Sequence, residues 1–210
     1  MVPRQPSMFD LLEPAERPGL GPLPGAVQRR PLGRGAWIDH LPGWVSGSEA
    51  VLDTLLGIDW RAERRVMYDD EVAVPRLLRW YGPAEPLPHE VLTVARERLS
   101  AYYAAELGEP FVTAGMCLYR DGRDSVAWHG DTTGRSSRFD TMVAIVSFGA
   151  PRPLLLRPRG GGNSLRYPLG HGDLIVMGGS CQRTWEHTVP KTARPVGPRV
   201  SVQFRPIGVA

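Results

Sequence analysis

The stretch Pro-Phe-Val-Thr-Ala-Gly-Met-Cys-Leu-Tyr-Arg-Asp-Gly-Arg-Asp-Ser-Val-Ala-Trp-His, residues 110–129, holds two short apolar runs on either side of the turn signal Asp121-Gly122. Short runs rich in β-branched and aromatic residues, bounded by Gly, Asp or Pro, are typical of strands. The pattern continues to the end of the chain and predicts eight strands: Phe111–Tyr119, Ser125–His129, Met142–Phe148, Pro153–Arg157, Ser164–Tyr167, Leu174–Met177, Thr184–Val189 and Arg199–Arg205. Short strands with irregular connections favour a double-sheet jelly roll, also called a double-stranded β-helix.

Two helices are predicted upstream of these strands. Apolar residues at helical spacing indicate helices over Glu49–Leu56 and Glu90–Leu107, and Ser46 or Ser48 can cap the first. We expect both helices to cover one sheet. The predicted fold class is therefore mainly β with flanking helices (α+β).

The chain length fits one domain. Residues 1–36 are rich in Pro, Gly and Arg without periodicity, which predicts an irregular N-terminal arm. Residues 37–210 are predicted to form a single jelly-roll domain. This domain includes residues 60–83, which mix strand-like pieces with aromatic side chains.

Composition excludes several classes of protein. Hydrophobic residues make up 42% of the 210 residues and charged residues 22%, which is globular rather than disordered, coiled-coil or collagen-like. Apolar runs such as Met142–Phe148 are far shorter than the roughly 20 residues of a membrane span. Cys117 and Cys181 are too few for a disulfide framework, and Met1–Leu12 lacks the apolar stretch of a secretory signal. We expect a cytoplasmic protein without a membrane partner.

Arginine dominates the basic residues, because Lys191 is the sole lysine among 25 Lys and Arg residues. Arginine makes planar, bidentate contacts with phosphates and carboxylates. We favour a compositional habit of the source genome as the explanation, since Ala, Gly and Pro are also abundant, and the net charge is only +3. The charge pattern therefore does not establish nucleic-acid binding.

A candidate metal site comes from the end of the second predicted strand. His129 and Asp131 are two residues apart, so an extended chain points both side chains to the same side. His187, within a later predicted strand, is the best third ligand. Two histidines and one carboxylate suit non-haem Fe(II) and leave coordination positions open. The alternative from spacing alone is that these are ordinary polar residues satisfied within strands.

A second His-Gly-Asp sequence competes for this role at His171-Gly172-Asp173. Only His187 follows it among the histidines, which leaves little chain for crossing between sheets. Gly-Asp before an apolar run is an ordinary turn, and a turn is the interpretation we favour.

Several motifs together resemble the AlkB family of Fe(II)/2-oxoglutarate dioxygenases, which repair alkylated nucleobases. The resembling segments are Pro75–Gly82, Tyr119–Asp131, Ile145–Ala150, His171–Met177, Trp185–Lys191 and Pro198–Arg205. The match runs in order from about Trp60 to Arg205 and leaves the first 36 residues uncovered.

This resemblance implies iron ligation by His129, Asp131 and His187, with His171-Gly172-Asp173 as a turn that binds no metal. It also implies that Arg199 and Arg205 bind 2-oxoglutarate. Residues six apart on a strand face the same side, and a dianion needs guanidinium partners.

The resemblance implies further co-substrate contacts, and two of these positions depart from the family pattern. Tyr119 matches a family tyrosine, but Cys117 and Ser201 stand where the family usually has asparagine. Both are expected to contact the co-substrate. Thr133 stands where the family often has an acidic residue that helps to read the base.

The resemblance implies oxidative demethylation of N-alkylated bases of the 1-methyladenine and 3-methylcytosine type in DNA or RNA, with Fe(II), 2-oxoglutarate and O2, and release of formaldehyde. A base must be flipped out or single-stranded to reach such a pocket. Residues 60–83 would form a nucleotide-recognition lid. The candidate substrate contacts are Met67, Arg76, Trp80, Tyr81, Arg135 and Arg138.

Alternatives remain for these residues and for the function. Trp80 and Tyr81 could equally be core packing. The same oxygenase could act on a protein side chain or a small molecule, or the domain could bind alkylated nucleic acid without turnover. We expect a monomer.

Overall fold

The computed structural model describes residues 16–67 and 70–209, leaving aside the side chains of residues 65–73. The strands are β1 (Gly19–Leu20), β2 (Gln28–Gly33), β3 (Ala36–Leu41), β4 (Val45–Ser46), β5 (Arg61–Met67), β6 (Asp70–Tyr81), β7 (Thr113–Tyr119), β8 (Val126–His129), β9 (Val143–Gly149), β10 (Arg152–Pro158), β11 (Leu165–Leu169), β12 (Asp173–Gly179), β13 (Trp185–Val189) and β14 (Arg199–Arg205). The helices are α1 (Ser48–Leu56), α2 (Glu90–Tyr102), α3 (Ala104–Leu107) and α4 (Cys181–Thr184).

Two sheets form the body of the fold. The larger has eight strands in the order β2-β3-β12-β9-β14-β7-β6-β5, and the smaller has four in the order β11-β10-β13-β8. Their strand pairs are antiparallel. The eight predicted strands from 111 to 205 are present, so the predicted mainly β jelly roll is confirmed.

Alternation along β9 explains why the large sheet is buried on both faces. Val143 and Ile145 belong to a core shared with Leu154 and Leu156 of the small sheet. Ala144 belongs to a second core, together with residues of α1 and α2. Successive strand residues point to opposite faces, so one sheet separates the inter-sheet core from the helix-covered core.

The helical side of the fold differs in detail from the sequence prediction. The N-cap of α1 is Gly47 in the left-handed conformation, rather than either serine. Ser48 instead donates its hydroxyl to the carbonyl of Val45 at 2.6 Å. The predicted second helix is divided at Tyr103, a fully buried residue whose hydroxyl donates to Asp39 at 2.8 Å. No helix among the described residues is long and apolar enough to span a bilayer.

The predicted irregular arm is partly wrong. Residues 1–15 lie outside the described residues, but Gln28–Gly33 forms the edge strand β2 and pairs with β3. Arg29 explains its attachment, because it forms an ion pair with buried Asp39 at 2.7 Å and lies 3.7 Å from the ring centre of Trp37. Both contacts are made between two different strands. The periodicity of either strand alone does not reveal them.

Candidate metal centre and cavity

The three predicted metal ligands converge where β8 meets β13. His129 and His187 are paired residues of these antiparallel strands, and their ring centres lie 4.2 Å apart. Asp131 follows the end of β8. One ligand atom from each of the three residues lies within 4.8 Å of the others. This arrangement brings two imidazoles and one carboxylate to a common point.

Hydrogen bonds orient the ligand atoms. The Nδ1 atom of His129 lies 2.8 Å from the carbonyl oxygen of Ala127, so a proton on Nδ1 leaves Nε2 free to bind metal. The backbone N–H of Asp131 donates to the side-chain carbonyl of Gln182 at 2.9 Å. Arg205 donates to Oδ2 of Asp131, while Oδ1 lies 3.8 Å from Nε2 of His129.

The charge states of the buried ligands suit a divalent cation. Burial alone would raise the pKa of Asp131, but Arg205 and the two histidines outweigh it and lower this pKa to about 2. Burial, followed by the charge of His129, lowers the pKa of His187 to about 3. The carboxylate is therefore ionised and the His187 imidazole neutral at pH 7, which are the forms that ligate metals.

The metal ligands open into a cavity of about 750 Å³ that is also lined by Arg199. Arg199 is 1% exposed, and its Nε donates to the Ser147 hydroxyl at 2.8 Å. Its Nη1 has no hydrogen-bond partner within the described part of the chain. Tyr119 places its ring centre 5.3 Å from the guanidinium carbon. A buried guanidinium nitrogen without a partner is costly unless an anion binds it.

The family model of the 2OG-Fe(II) oxygenase superfamily matches residues 76–205. The chain belongs to the 2OG-Fe(II) oxygenase superfamily. The match includes the metal ligands and Arg199 in one continuous segment. Membership implies Fe(II), 2-oxoglutarate and O2.

The curated relatives include AlkB homologues, which confirms the resemblance. Alpha-ketoglutarate-dependent dioxygenase alkB homolog 3 of Homo sapiens is 32% identical over 189 residues, covering 79% of this chain and 64% of the human protein. DNA oxidative demethylase ALKBH2 of Homo sapiens is 32% identical over 119 residues, covering 53% of this chain and 45% of that protein. The chain thus spans less than two thirds of the length of these relatives.

A solved structure supports the fold assignment. A prolyl hydroxylase from Trichoplax adhaerens, in complex with a hypoxia inducible factor oxygen degradation domain peptide fragment, matches with a TM-score of 0.57 and 12% identity, covering 80% of this chain and 83% of that chain. At this identity the likeness concerns the fold alone.

The residues of this oxygenase fit the two groups that its superfamily implies. His129, Asp131 and His187 are the donor set that suits non-haem Fe(II) and leaves positions open for other ligands. The unpartnered Nη1 of Arg199 matches the need of a buried carboxylate. Both conditions are met within one cavity.

Arg205 is placed differently from Arg199 in this oxygenase. Its Nε and Nη2 both lie 2.8 Å from Oδ2 of Asp131. Arg205 also lines the cavity. It therefore contacts the Asp131 carboxylate from a position in the cavity wall.

The remaining predicted co-substrate residues also line the cavity. Tyr119, Cys117 and Ser201 all contribute to its wall. Sequence analysis missed Gln203, which lies between Ser201 and Arg205 on the same face of β14 and is 7% exposed. Alternation from the two flanking arginines would have found it.

The hairpin of β5 and β6, at the edge of the large sheet, carries the predicted substrate residues Arg76 and Trp80. Both line the cavity, and Trp80 is 45% exposed. Arg76 donates to the carbonyl of Ser125 at 3.3 Å, and its Nε has no hydrogen-bond partner among the described residues. The prediction for Tyr81 is wrong, because its side chain points to the other face and packs in the helix-covered core.

Two further predicted substrate residues, Arg135 and Arg138, lie outside the cavity wall. Arg135 forms an ion pair with Glu109, and Arg138 is exposed on the same loop. Neither belongs to the cavity lining. Met67 lies on β5, and its side chain falls outside the described residues.

The competing His171-Gly172-Asp173 sequence forms a turn. His171 Nδ1 accepts a hydrogen bond from the N–H of Gly149 at 2.7 Å. Asp173 accepts from the backbone N–H of Gly43 at 2.8 Å. Gly172 has φ +80°, and a Cβ there would lie 2.3 Å from the carbonyl oxygen of Val45. This turn therefore requires glycine and binds the backbone rather than a metal.

Proposed function

We propose that this oxygenase removes alkyl groups from N-alkylated nucleobases of the 1-methyladenine and 3-methylcytosine type in DNA or RNA, releasing formaldehyde. The observation that carries the proposal is one cavity that contains the His129, Asp131 and His187 cluster, the unpartnered guanidinium nitrogen of Arg199 and the half-exposed indole of Trp80.

The outer residues of this cavity suit a nucleotide. Arg61, Arg76 and Arg79 line the cavity together with Trp80. An aromatic face stacks on any base, and arginines nearby attract phosphates. The names of the relatives agree, since one is a DNA oxidative demethylase. A base in this cavity would have to be single-stranded or flipped out of a duplex.

The residues that line the cavity would have separate roles in binding the co-substrate, the metal and the base. Arg199 and Tyr119 would bind the remote carboxylate of 2-oxoglutarate, with Cys117 and Ser201 completing that site and Arg205 fixing Asp131. Iron, 2-oxoglutarate and O2 would supply the oxidising power that hydroxylates the N-alkyl carbon. Trp80 would hold the base so that this carbon faces the metal side of the cavity.

The organisation of the chain follows from this role. We propose that the domain predicted over residues 37–210, extended by the edge strand β2, acts as one catalytic domain with residues 60–83 as its nucleotide-recognition lid, and that the protein works as a monomer. Cys117 and Cys181 are free thiols. Free thiols persist in a reducing compartment, which supports a cytoplasmic location.

One observation favours a second candidate. The cavity wall has Thr133 where the family often has an acidic residue for reading the base. An oxygenase that acts on a protein side chain or small molecule would not need this carboxylate. A binding module without turnover is the third candidate.

A panel of substrates tests these candidates together. The protein with Fe(II), 2-oxoglutarate and air is incubated with single-stranded oligonucleotides that carry 1-methyladenine or 3-methylcytosine, and mass spectrometry follows base repair alongside formaldehyde release. His129→Ala is the inactive control. Repair that depends on His129 is the expected result. Co-substrate binding without oligonucleotide turnover would contradict the proposal and favour the second candidate, while methylated-oligonucleotide binding without succinate formation would favour the third.

A further inference from the structure

The short helix α4 packs against the segment that carries two of the metal ligands. Gly130, between His129 and Asp131, lies so close to this helix that a Cβ there would lie 2.4 Å from the carbonyl oxygen of Gln182. Glycine permits this approach because it has no side chain. The approach brings the Gln182 side chain within reach of the residue that follows Gly130, which is Asp131.

The carboxamide of Gln182 holds the backbone of Asp131 in the protein interior. Its Oε1 accepts the N–H of Asp131 at 2.9 Å, and the two residues are 2% and 6% exposed. Its Nε2 donates to the sulfur of Met177 at 3.8 Å, within the inter-sheet core. A buried backbone N–H needs an acceptor. The Gln182 oxygen therefore determines where the backbone of this metal ligand lies.

The position of α4 is fixed in turn by Arg159, the residue that follows β10. Its Nε donates to the carbonyl of Arg183 at 3.0 Å, and its Nη2 donates to that of Gln182 at 3.3 Å. Its backbone N–H donates to the carbonyl of Thr184 at 2.9 Å. Three successive carbonyls at the end of the helix thus have donors, which a helix C-terminus does not supply by itself. Helix α4 leads directly into β13, the strand that carries His187.

We propose that Gln182 is a positioning residue for the metal site, whose carboxamide sets the backbone of Asp131 relative to the strand that carries His187. It links these two segments because it bonds Asp131 and lies on the helix that leads into β13. Its role differs from that of Arg205, which contacts the carboxylate of Asp131 rather than its backbone. The inference rests on the metal of the superfamily and is independent of the nucleic-acid substrate.

Substitutions at position 182 separate the hydrogen bond from the packing of the side chain. Gln182→Met keeps the length of the side chain but leaves the N–H of Asp131 without its acceptor, so the ligand segment should shift. Residues that orient a metal ligand typically affect metal affinity by roughly 10–100-fold, and we expect a loss of this size. Gln182→Glu keeps an oxygen that accepts in either protonation state and should retain most of the wild-type affinity.

Calorimetric titration of Mn(II) into the metal-free protein measures these affinities without turnover. The thermal midpoint of each metal-free variant shows whether it is folded. Thr184→Val is the matched control, because it removes a hydroxyl that donates to the carbonyl of Ser180 at 2.9 Å, a bond between α4 and its N-cap. This variant perturbs the same helix and should bind Mn(II) like the wild type.

Wild-type Mn(II) affinity in a folded Gln182→Met protein would overturn the inference. A Gln182→Glu or Thr184→Val protein that binds as weakly as Gln182→Met would also overturn it, because packing or helix stability would then control metal binding. If Gln182→Met does not fold, Gln182→Asn, whose side chain is one methylene shorter, replaces it with the same expected loss. Absence of Mn(II) binding by the wild type would overturn the metal centre as well, whereas Mn(II) binding without formaldehyde release would affect only the proposed nucleic-acid substrate.

Discussion

Arg205 donates a hydrogen bond from Nε to Oδ2 of Asp131 at 2.8 Å, and its Nη2 lies 2.8 Å from the same oxygen as part of an ion pair. The other carboxylate oxygen, Oδ1, is the one that faces His129. Strand β14, which carries Arg205, therefore fixes which oxygen of the metal carboxylate is available. This contact joins residues 74 positions apart in the chain.

We expect Arg205→Leu to weaken divalent metal binding. Removing a hydrogen-bond partner of a ligand typically costs roughly 10–100-fold in metal affinity. Calorimetric titration with Mn(II) measures the effect. Arg123→Leu, which removes an exposed guanidinium paired with Asp121, serves as the control. Equal affinities for the two variants would show that Arg205 does not orient Asp131.

Arg199→Met should abolish 2-oxoglutarate binding without unfolding the protein. Arg199 is fully buried and has no carboxylate partner among the described residues, and burial lowers its pKa. Replacing a buried charge by an apolar side chain of similar volume is often neutral or stabilising. We expect the free energy of unfolding in urea to stay within about 1 kcal/mol of the wild type or to rise. A loss of several kcal/mol would mean that Arg199 serves the fold rather than an anion.

Trp80→Ala should raise the KM for a methylated oligonucleotide roughly tenfold, because base stacking on an aromatic ring contributes about 1–3 kcal/mol. The affinity for 2-oxoglutarate should not change. Tyr102→Ala removes another exposed aromatic side chain, on α2 and outside the cavity lining, and should leave both values unchanged. A Trp80→Ala enzyme with the wild-type KM would show that the indole does not contact the substrate.

The ion pair of Asp124 with Arg120 should contribute to stability in a way that acid removes. Burial acts to raise its pKa, but hydrogen bonds from the Arg120 side chain and backbone outweigh burial and lower it. A lowered folded pKa stabilises the protein above the unfolded value of about 3.9, and this contribution disappears as the pH falls through the folded pKa. Asp124→Asn should therefore cost about 2 kcal/mol at pH 7 and much less near pH 2.

Urea unfolding at both pH values measures this difference. Asp59→Asn is the control, since its carboxylate is exposed and lies 3.9 Å from Arg61. A penalty for Asp124→Asn that is the same at both pH values would contradict the linkage.

Local pattern in the sequence predicted much of the fold and the metal cluster. The run Met142–Phe148 is short, almost continuously apolar and bounded by turn residues, so its strand could be located closely. His129 and Asp131 are two residues apart in an extended segment, and this spacing alone places their side chains on the same side. The resemblance to AlkB proteins then selected His129-Gly130-Asp131 over the turn His171-Gly172-Asp173 as the His-x-Asp pair of the metal site.

Tertiary contacts explain what the sequence could not predict. Trp80 and Tyr81 are equally aromatic neighbours, and only the register of β6 on β7 determines that Trp80 faces the cavity and Tyr81 the core. The attachment of strand β2 to β3 depends on the ion pair between Arg29 of β2 and Asp39 of β3. The contact of Gln203 with Cys117 required the exact pairing of β14 with β7.

The most direct test of the account is an anaerobic titration of Fe(II) into the protein in the presence of 2-oxoglutarate. We predict that one Fe(II) binds per chain and that His129→Ala, Asp131→Ala and His187→Ala each lose this binding while remaining folded. Fe(II) binding that survives His187→Ala with unchanged affinity and stoichiometry would contradict the proposed metal centre.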